Sequence, residues 1–442
     1  MAPARWTTLT ASLLALACGA DDSPGPAGES GAVADASGST TDGATSTTGD
    51  AMPDSSGGAE ASTGAGGLPG YGDSPCWGDP RQTVIYNGRT HQTGTVDATC
   101  RAEGDRTLVY VQDELWDQGL NQDLIDSFMH RFELFTPEGS VDPEQGVITN
   151  NEEVFGAIVP EATPGGKVAI YIVDTQGGGD GYLCGWCDTM QIHLDGIVLQ
   201  PIDDDFPVSI AAHESYHIIH RGYDTDETMW VDESLAEAAM TANGFFTDLD
   251  WLASFMNDPD QNWGPGNPEL GDFNYGGALL WGSFLWERGG PPLMQAITAE
   301  PTDDWAGLDA ALSAVGDDKT AFELYLDLMV AIYLDAPELG YGFESFDLVD
   351  VHREADVSAG SMLSGGLAPY GMDFYRVTSE GALTIDVTAT GTGDVFGVAA
   401  AAGDDIEVIR IDGSTTLTVS PGDEAFIALT ADAGTTYDLT VQ

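Results

Sequence analysis

The pentapeptide at 213–217, which reads HESYH, constrains this chain more than any other feature, because it lies inside the helix-patterned segment 206–221. Residues four apart project from the same face of a helix, so His213 and His217 can bind one cation while Glu214 lies beside its open coordination position. The apolar neighbours argue against a partly exposed surface helix, since buried ionisable groups need partners. The motif therefore predicts a catalytic zinc site in which Glu214 is the general base.

A catalytic zinc ion takes three protein ligands and a water, so one ligand must lie outside the pentapeptide. The longer HExxHxxGxxH pattern is excluded, because the chain has His220 and Tyr223 where that pattern needs glycine and histidine. Segment 230–240, WVDESLAEAAM, is rich in helix formers and carries Glu233 and Glu237 one turn apart on one face. These carboxylates are the downstream candidates for the third zinc ligand. The alternative is that they only form a solvated face of the helix.

HESYH followed by WVDESLAEA resembles the glutamate-zincin peptidases, whose second helix often reads W-x-N-E-G-x-A. The resemblance implies that Glu233 is the third zinc ligand and that Glu237 orients a ligating histidine. Asp232 is the competing candidate for the third ligand. Asp232 and Ser234 depart from the family pattern, since they replace its asparagine and glycine.

Within that clan the chain is similar to the hyicolysin-like peptidases over roughly residues 104–335. Segment 273–280, FNYGGALL, resembles their tyrosine-glycine helix entry, and segment 322–335 resembles a helix near the end of their catalytic domain. Tyr275 is the catalytic candidate here, because a phenol near the metal can stabilise a tetrahedral oxyanion. Packing at a helix start is the alternative role of Tyr275. His220 is a second candidate for stabilising the oxyanion. The alternative is that His220 is a surface residue of the helix.

The N-terminal segment has the composition of an export signal. Arg5 precedes an apolar stretch at 9–17 that is too short to span a bilayer, and Ala15-Leu16-Ala17 is a small-x-small cleavage site. Residues 1–17 are therefore predicted to be a signal peptide. Cys18 follows at once and resembles the lipidated cysteine of bacterial lipoproteins, with plain secretion as the alternative. Membrane association is expected only through this lipid anchor.

Residues 18–70 consist mainly of Gly, Ala, Ser, Thr, Asp and Pro. Such a segment cannot bury enough apolar surface to offset its ordering entropy, so it is predicted to be a disordered tether.

The formal net charge of −60, from 13 basic and 73 acidic residues, excludes a general nucleic-acid binder. The charges are spread along the chain, which indicates mainly a solubility feature. Calcium is a second candidate cofactor beside zinc, with ligands at 203–205, which reads DDD, or in the loop 174–180. Neither segment has EF-hand spacing. The expected partner is a protein or peptide substrate, and the chain is expected to be a monomer.

Five cysteines leave an even number once Cys18 is assigned to the anchor. Four cysteines in an oxidising compartment allow three pairings. We favour Cys76 with Cys100 and Cys184 with Cys187. The CGWC stretch at 184–187 has the spacing of a redox motif, but it follows a glycine-rich loop and opens no evident helix. A structural disulfide is therefore expected there, with redox chemistry or a second metal site as alternatives.

Hydrophobic periodicity predicts an α+β fold, which supports the zincin-like catalytic domain that the resemblance implies at 71–357. Strands are expected at 107–111, 167–173 and 190–195, and a helix at 118–135. In zincins the strand just before the zinc helix commonly lies at the sheet edge, where an extended peptide can add through main-chain hydrogen bonds. We therefore expect segment 190–195 to be an edge strand.

From residue 358 the pattern changes to short alternating runs separated by Gly and Asp. Seven such runs predict a small antiparallel β-sandwich at 358–442. The predicted strands are 372–377, 383–388, 395–399, 407–411, 415–419, 425–429 and 437–441.

The sequence thus predicts an exported metalloprotease, either a bacterial cell-surface or outer-membrane lipoprotein or a secreted protein. Its ligands would be His213, His217 and Glu233, with Glu214 as general base. The rival hypothesis is a non-catalytic surface adhesion or binding protein that keeps a zinc-stabilised zincin scaffold. Retention of Glu214 argues against this rival, since structural zinc sites need no base. A third hypothesis keeps the zinc hydrolase but has it cleave a non-peptide amide.

Overall fold

A six-stranded mixed sheet forms the N-terminal half of the fold. Its strands are β1 (Pro80–Asn87), β2 (Gln92–Glu103), β3 (Thr107–Gln112), β4 (Val168–Val173), β5 (Gly181–Leu183) and β6 (Gln191–Asp195). They pair in the spatial order β1-β2-β3-β4-β6-β5. The first three strands are antiparallel neighbours, β3, β4 and β6 run parallel, and β5 returns antiparallel to β6.

The computed structural model describes residues 68, 70–71, 75–159, 163, 166–185, 187, 189–246, 249–265, 274–403 and 405–442. The predicted signal peptide at 1–17, Cys18 and all of the predicted tether except Leu68 and Gly70 lie outside those residues. The described residues from Gly70 onward belong to one compact unit. No helix in this described part is long and apolar enough to cross a membrane.

Eight α-helices, within the described residues, complete an α+β fold. They are α1 (Gln122–Glu133), α2 (Val147–Phe155), α3 (Asp205–His220), α4 (Met229–Ala242), α5 (Leu249–Asn257), α6 (Tyr275–Thr298), α7 (Asp304–Val315) and α8 (Ala321–Leu334). Every residue of α3 from Pro207 onward is buried, as its apolar sequence predicts. This helix therefore crosses the core with its histidines enclosed.

The strand predictions at 107–111, 167–173 and 190–195 are confirmed by β3, β4 and β6. The prediction that segment 190–195 lies at the sheet edge is wrong. The three-residue strand β5 pairs with the outer side of β6 and takes the edge position itself. So short a strand gives no periodic signal in the sequence.

The helix predicted at 118–135 is shorter than expected. Asn121 caps α1 by accepting a hydrogen bond from the backbone N–H of Leu124 at 3.2 Å, so the helix begins at Gln122. Gly119 has a positive φ angle, which an α-helix excludes, so the helix cannot begin at residue 118.

A β-sandwich follows the helices. Its strands are β7 (Ala355–Val357), β8 (Met362–Leu367), β9 (Met372–Val377), β10 (Gly381–Ala389), β11 (Val395–Ala402), β12 (Ile406–Ile411), β13 (Ser414–Val419), β14 (Glu424–Ala431) and β15 (Thr435–Val441). One sheet has the order β13-β10-β15-β8 and the other β12-β11-β14-β9-β7. All seven predicted strands are present.

Two strands of the sandwich were not predicted, and one alters its topology. β7 runs parallel to β9, so the five-stranded sheet is mixed where an antiparallel sandwich was expected. β8 contains Gly365 and Gly366, which weaken a strand signal. Gly365 is needed because a Cβ there would lie 2.4 Å from the hydroxyl oxygen of Tyr437.

The five-stranded sheet packs its outer face on α8. The rings of Tyr333 and Phe426 stack with centroids 4.0 Å apart, and Phe374 lies beside them. Arg410 of β12 donates to the buried Asp327 of α8 at 2.5 Å. The helices and this sheet therefore share one hydrophobic core, while a second core fills the sandwich interior.

Both predicted disulfides are formed, Cys76 with Cys100 and Cys184 with Cys187. The first joins the segment before β1 to β2, and the second closes the turn that follows β5. Disulfides of this kind are consistent with export into an oxidising compartment.

Candidate metal centre

Two buried helices, α3 and α4, carry all the side chains of the candidate centre. They are connected by the loop 221–228 and pack against each other along the core. Helix α4 is fixed on its other side by α6, which approaches so closely that a Cβ on Gly282 would lie 1.8 Å from the carbonyl oxygen of Ser234. The position of Glu233, next to Ser234, therefore depends on this glycine contact.

Three side chains from these helices meet at one point. Nε2 of His213 lies 3.2 Å from Oε2 of Glu233, and Nε2 of His217 lies 3.9 Å from Oε1 of the same carboxylate. Each of the three residues offers one ligand atom, and these atoms lie within 4.8 Å of one another. All three residues are at least nine-tenths buried. The group could hold a metal ion.

The opposite nitrogen of each imidazole faces another carboxylate. Nδ1 of His213 lies 3.2 Å from Oε1 of Glu237, and Nδ1 of His217 lies 3.0 Å from Oδ2 of Asp232. Such contacts hold an imidazole in the tautomer whose Nε2 is available for a metal. The arrangement thus places Glu237 behind His213 and Asp232 behind His217.

His220 extends this polar group, contrary to the expectation of a surface residue. It is 1% exposed, and its Nδ1 lies 2.6 Å from Oδ1 of Asp232. Asp232 therefore bridges His217 and His220. Sequence reasoning missed this arrangement, although the spacing of His217 and His220 by three residues on one buried helix was a usable signal.

Glu214 lies beside the two imidazoles and is 3% exposed. Its Oε2 is buried and has no hydrogen-bond partner among the described residues. A buried carboxylate oxygen without a partner is costly, so this atom is expected to face a water or a substrate group. That position fits a general base next to a bound metal.

A small cleft opens onto the centre and is lined by apolar and aromatic side chains beside the polar groups. Tyr275 begins α6, where Asn274 caps the helix by accepting hydrogen bonds from the next backbone N–H groups. The ring centroid of Tyr275 lies 6.3 Å from that of His213. The cleft is lined by Asp180, Gly181, Phe206, Ile210, His213, Glu214, Glu237, Trp251 and Tyr275.

The electrostatics of the centre favour protons on the histidines when no metal is bound. Burial lowers the pKa of His213, but the hydrogen bonds to Glu233 and Glu237 outweigh burial and hold that pKa well above its ordinary value. Burial also lowers the pKa of His217, and Asp232 reverses the effect, so the pKa is raised. A metal must therefore displace protons from both imidazoles.

The two carboxylates at the centre shift in opposite directions. Burial raises the pKa of Glu214, and the lowering influence of His213 and His217 does not cancel it. Burial also raises the pKa of Glu233, but its hydrogen bond to His213 and the charge of His217 bring that pKa below its ordinary value. Glu233 is thus held ionised as a ligand must be, while Glu214 is adjusted toward accepting a proton.

A zinc ion fits this donor set. Two neutral imidazole nitrogens and one carboxylate are the ligands of many hydrolytic zinc sites, and both imidazoles have carboxylate partners behind them.

The two segments predicted to bind calcium do not form clusters. The carboxyls of Asp203–Asp205 and of the loop 174–180 are in none of the three groups of described residues that could hold a metal. Arg131 donates to the backbone oxygen of Asp203 at 2.8 Å and pairs with Asp205. These contacts join the 203–205 segment, at the start of α3, to Arg131 of α1.

No protein-family model and no curated protein matches the chain. Solved structures do match, and three of them are each similar to about a fifth of the chain. The pre-peptidase C-terminal domain of collagenase from Bacillus anthracis is 16% identical, with 21% of this chain and 100% of that chain covered and a TM-score of 0.18. The mitogen derived from Yersinia pseudotuberculosis is 13% identical, with 20% and 86% covered and a TM-score of 0.17. The periplasmic inhibitor of g-type lysozyme from Aeromonas hydrophila is 15% identical, with 21% and 100% covered and a TM-score of 0.16. Likenesses this weak carry no argument about this chain.

Proposed function

We propose that this chain is an exported zinc-dependent endopeptidase with a zincin-like catalytic domain. The observation that carries the proposal is the convergence of His213, His217 and Glu233 beside the buried Glu214. Two of these residues, His213 and Glu214, line the cleft. A site that held a metal only for stability would have no use for a further buried carboxylate, beside its ligands, with an unpartnered oxygen.

In this proposal His213, His217 and Glu233 hold the zinc ion. Zinc, when bound, supplies Lewis-acid polarisation of the scissile carbonyl and acidifies a water. Oε2 of Glu214 accepts the proton of the attacking water and donates it to the leaving amine. Burial raises the pKa of Glu214, which helps the carboxyl to hold that proton between the two steps.

Tyr275 is assigned the stabilisation of the oxyanion. It lies in the same cleft as Glu214 and its ring is near His213. A phenol hydroxyl aimed at the developing negative charge lowers the barrier without moving during the reaction.

A peptide substrate is favoured over other amides by the edge of the sheet. Strand β5 has β6 on one side only, and its first residue, Gly181, lines the cleft. An extended peptide can pair with such an edge through main-chain hydrogen bonds and so bring a peptide bond past the metal. A side chain at position 181 would crowd the cleft wall, because a Cβ at Gly181 would lie 2.4 Å from the Cγ2 of Ile210.

The deciding experiment compares the wild type with Glu214→Gln on a labelled unfolded protein substrate, with zinc content measured for both. Glu138→Gln is the matched control, because Glu138 is exposed and far from the cleft residues in sequence. We expect the chelator to abolish cleavage and zinc to restore it. Glu214→Gln should lower kcat by about 10²–10⁴-fold while zinc is retained.

Other outcomes point elsewhere. A wild type that binds zinc but cleaves no peptide bond, with or without calcium, would favour the binding-protein hypothesis or hydrolysis of another amide. A wild type that binds no zinc would overturn the assignment of the ligands.

A further inference from the structure

A second group of carboxylates lies away from the cleft, where the loop 221–228 meets the start of α7. Asp224 and Asp226 belong to the loop, and Asp303 is the residue that precedes the first turn of α7. One carboxylate oxygen from each lies within 4.8 Å of the other two. Three like charges this close repel one another unless a cation or protons compensate them.

No basic side chain supplies that compensation. None of the ion pairs that arginine and lysine form in the described part of the chain includes these three residues. Burial, together with the charges of Asp226 and Asp224, raises the pKa of Asp303. No arginine or lysine among the described residues therefore balances the charge of these carboxylates by an ion pair.

Asp224 provides an independent sign of a ligand. It is 7% exposed, and its Oδ1 accepts a hydrogen bond from the backbone N–H of Asp226 at 3.2 Å. Its Oδ2 is buried and has no hydrogen-bond partner among the described residues. A buried carboxylate oxygen in this situation is strongly unfavourable unless it meets a cation or a water.

The neighbouring acids are already used in other contacts. Oε1 of Glu227 accepts from the backbone N–H of Asp304 at 2.9 Å and from Thr228. Asp304 in turn accepts from the indole Nε1 of Trp230 at 2.9 Å. These contacts bring the loop and α7 together, and they leave Asp224, Asp226 and Asp303 as the carboxylates available for an ion.

We propose that Asp224, Asp226 and Asp303 bind a calcium ion that fastens the loop 221–228 to the start of α7. An all-oxygen, partly exposed group suits a hard cation, and calcium tolerates irregular coordination completed by waters. Magnesium demands near-ideal octahedral geometry, and zinc prefers nitrogen and sulfur ligands.

Calcium bound here would act on the metal centre through the connection between two helices. The loop 221–228 joins α3, which carries His213 and His217, to α4, which carries Glu233. Fixing that loop restricts the motion of one helix against the other. This consequence rests on the proposed function, whereas the binding of calcium does not.

Terbium luminescence tests the site directly in the purified full chain. Terbium occupies calcium sites and emits when a nearby indole is excited, and Trp230 is hydrogen-bonded to Asp304 beside the group. We expect emission from the wild type that calcium displaces, with a calcium dissociation constant of about 10⁻⁴–10⁻³ M. The solution contains about 0.5 M sodium chloride, so that diffuse attraction to the net charge of −60 is screened.

Asp226→Asn and Asp303→Asn are the test variants, and Asp123→Asn is the control because Asp123 is an exposed carboxylate on α1. The proposal requires calcium to displace terbium and raise Tm in the wild type and in Asp123→Asn. It also requires at least a tenfold loss of calcium affinity in both test variants. Equal terbium emission in all four proteins, or no calcium effect on the wild type, would overturn it.

The two proposals fail separately. Calcium binding is read from terbium emission and Tm, neither of which needs peptide cleavage. Zinc-dependent cleavage with no calcium site would leave the peptidase standing and remove only the calcium proposal.

Discussion

Replacing Glu237 tests whether the carboxylates behind the imidazoles set the affinity of the metal centre. Oε1 of Glu237 lies 3.2 Å from Nδ1 of His213, and both residues are buried. Glutamine keeps an oxygen that accepts the Nδ1–H hydrogen bond but removes the charge. Alanine removes both and leaves a cavity.

The expected loss of zinc affinity follows from the single contact between Glu237 and His213. A hydrogen bond to a charged group contributes roughly 1.5–3 kcal/mol, and loss of such a partner typically lowers metal affinity by about 10–100-fold, or about 1.4–2.7 kcal/mol. We therefore expect about a tenfold loss of zinc affinity in Glu237→Gln and nearer a hundredfold loss in Glu237→Ala. Asp232→Asn should match or exceed Glu237→Gln, because Asp232 contacts both His217 and His220.

The assay is competition for zinc against a chromophoric chelator at fixed pH, with Asp123→Asn as the control. Circular dichroism of each zinc-free variant checks that the fold is kept. If Glu237→Gln and Asp232→Asn fold normally and bind zinc as tightly as the wild type, the carboxylates do not orient the ligands and the interpretation of the centre is wrong.

Three further outcomes are expected. The pKa values of His213 and His217 are raised in the folded protein, so their protonation stabilises the fold below the ordinary value of 6.5. This stability is lost as the pH rises through the raised values. The Tm of chelator-treated protein should therefore fall relative to that of zinc-loaded protein between pH 6 and 9. Burial raises the pKa of Asp373 to about 7. The stability that its protonated carboxyl contributes is therefore fully present below pH 3.8 and is lost as the pH rises through about 7. Asp373→Asn should flatten the decline of Tm over this range. Gly282→Ala should lower the stability by about 1–3 kcal/mol and weaken zinc binding, because its Cβ would meet Ser234 on α4.

Each of these has its own check. The pH effect is measured by differential scanning calorimetry, and a gap between loaded and chelated protein that does not widen with pH would contradict it. For Asp373→Asn, an unchanged pH profile would mean that another group dominates. Gly94→Ala is the control for Gly282→Ala, because a Cβ at Gly94 meets nothing within 4 Å. Equal Tm in both glycine variants would count against the close approach of α6 and α4.

Much of the sandwich and of the central sheet could be predicted because alternation is a local property. The runs at 383–388 and 415–419 became β10 and β13, which pair with each other. Edge strands and topology were not predictable in the same way. β5 has only three residues, and the parallel pairing of β7 with β9 joins segments whose patterns say nothing about direction.

For the centre, the amino-acid sequence alone determined the helix that holds HESYH, since a spacing of four places His213 and His217 on one face regardless of the rest of the chain. The nomination of Glu233 and Glu237 came from a local pattern and a family resemblance. Which atoms they approach was decided only when α4 packed against α3 and α6. The bridging of His217 and His220 by Asp232, and the meeting of Asp224 and Asp226 with Asp303, join segments far apart in the chain or on different helices. Such contacts depend on how the core closes around the whole chain, whereas spacing along one helix shows only which side chains share a face.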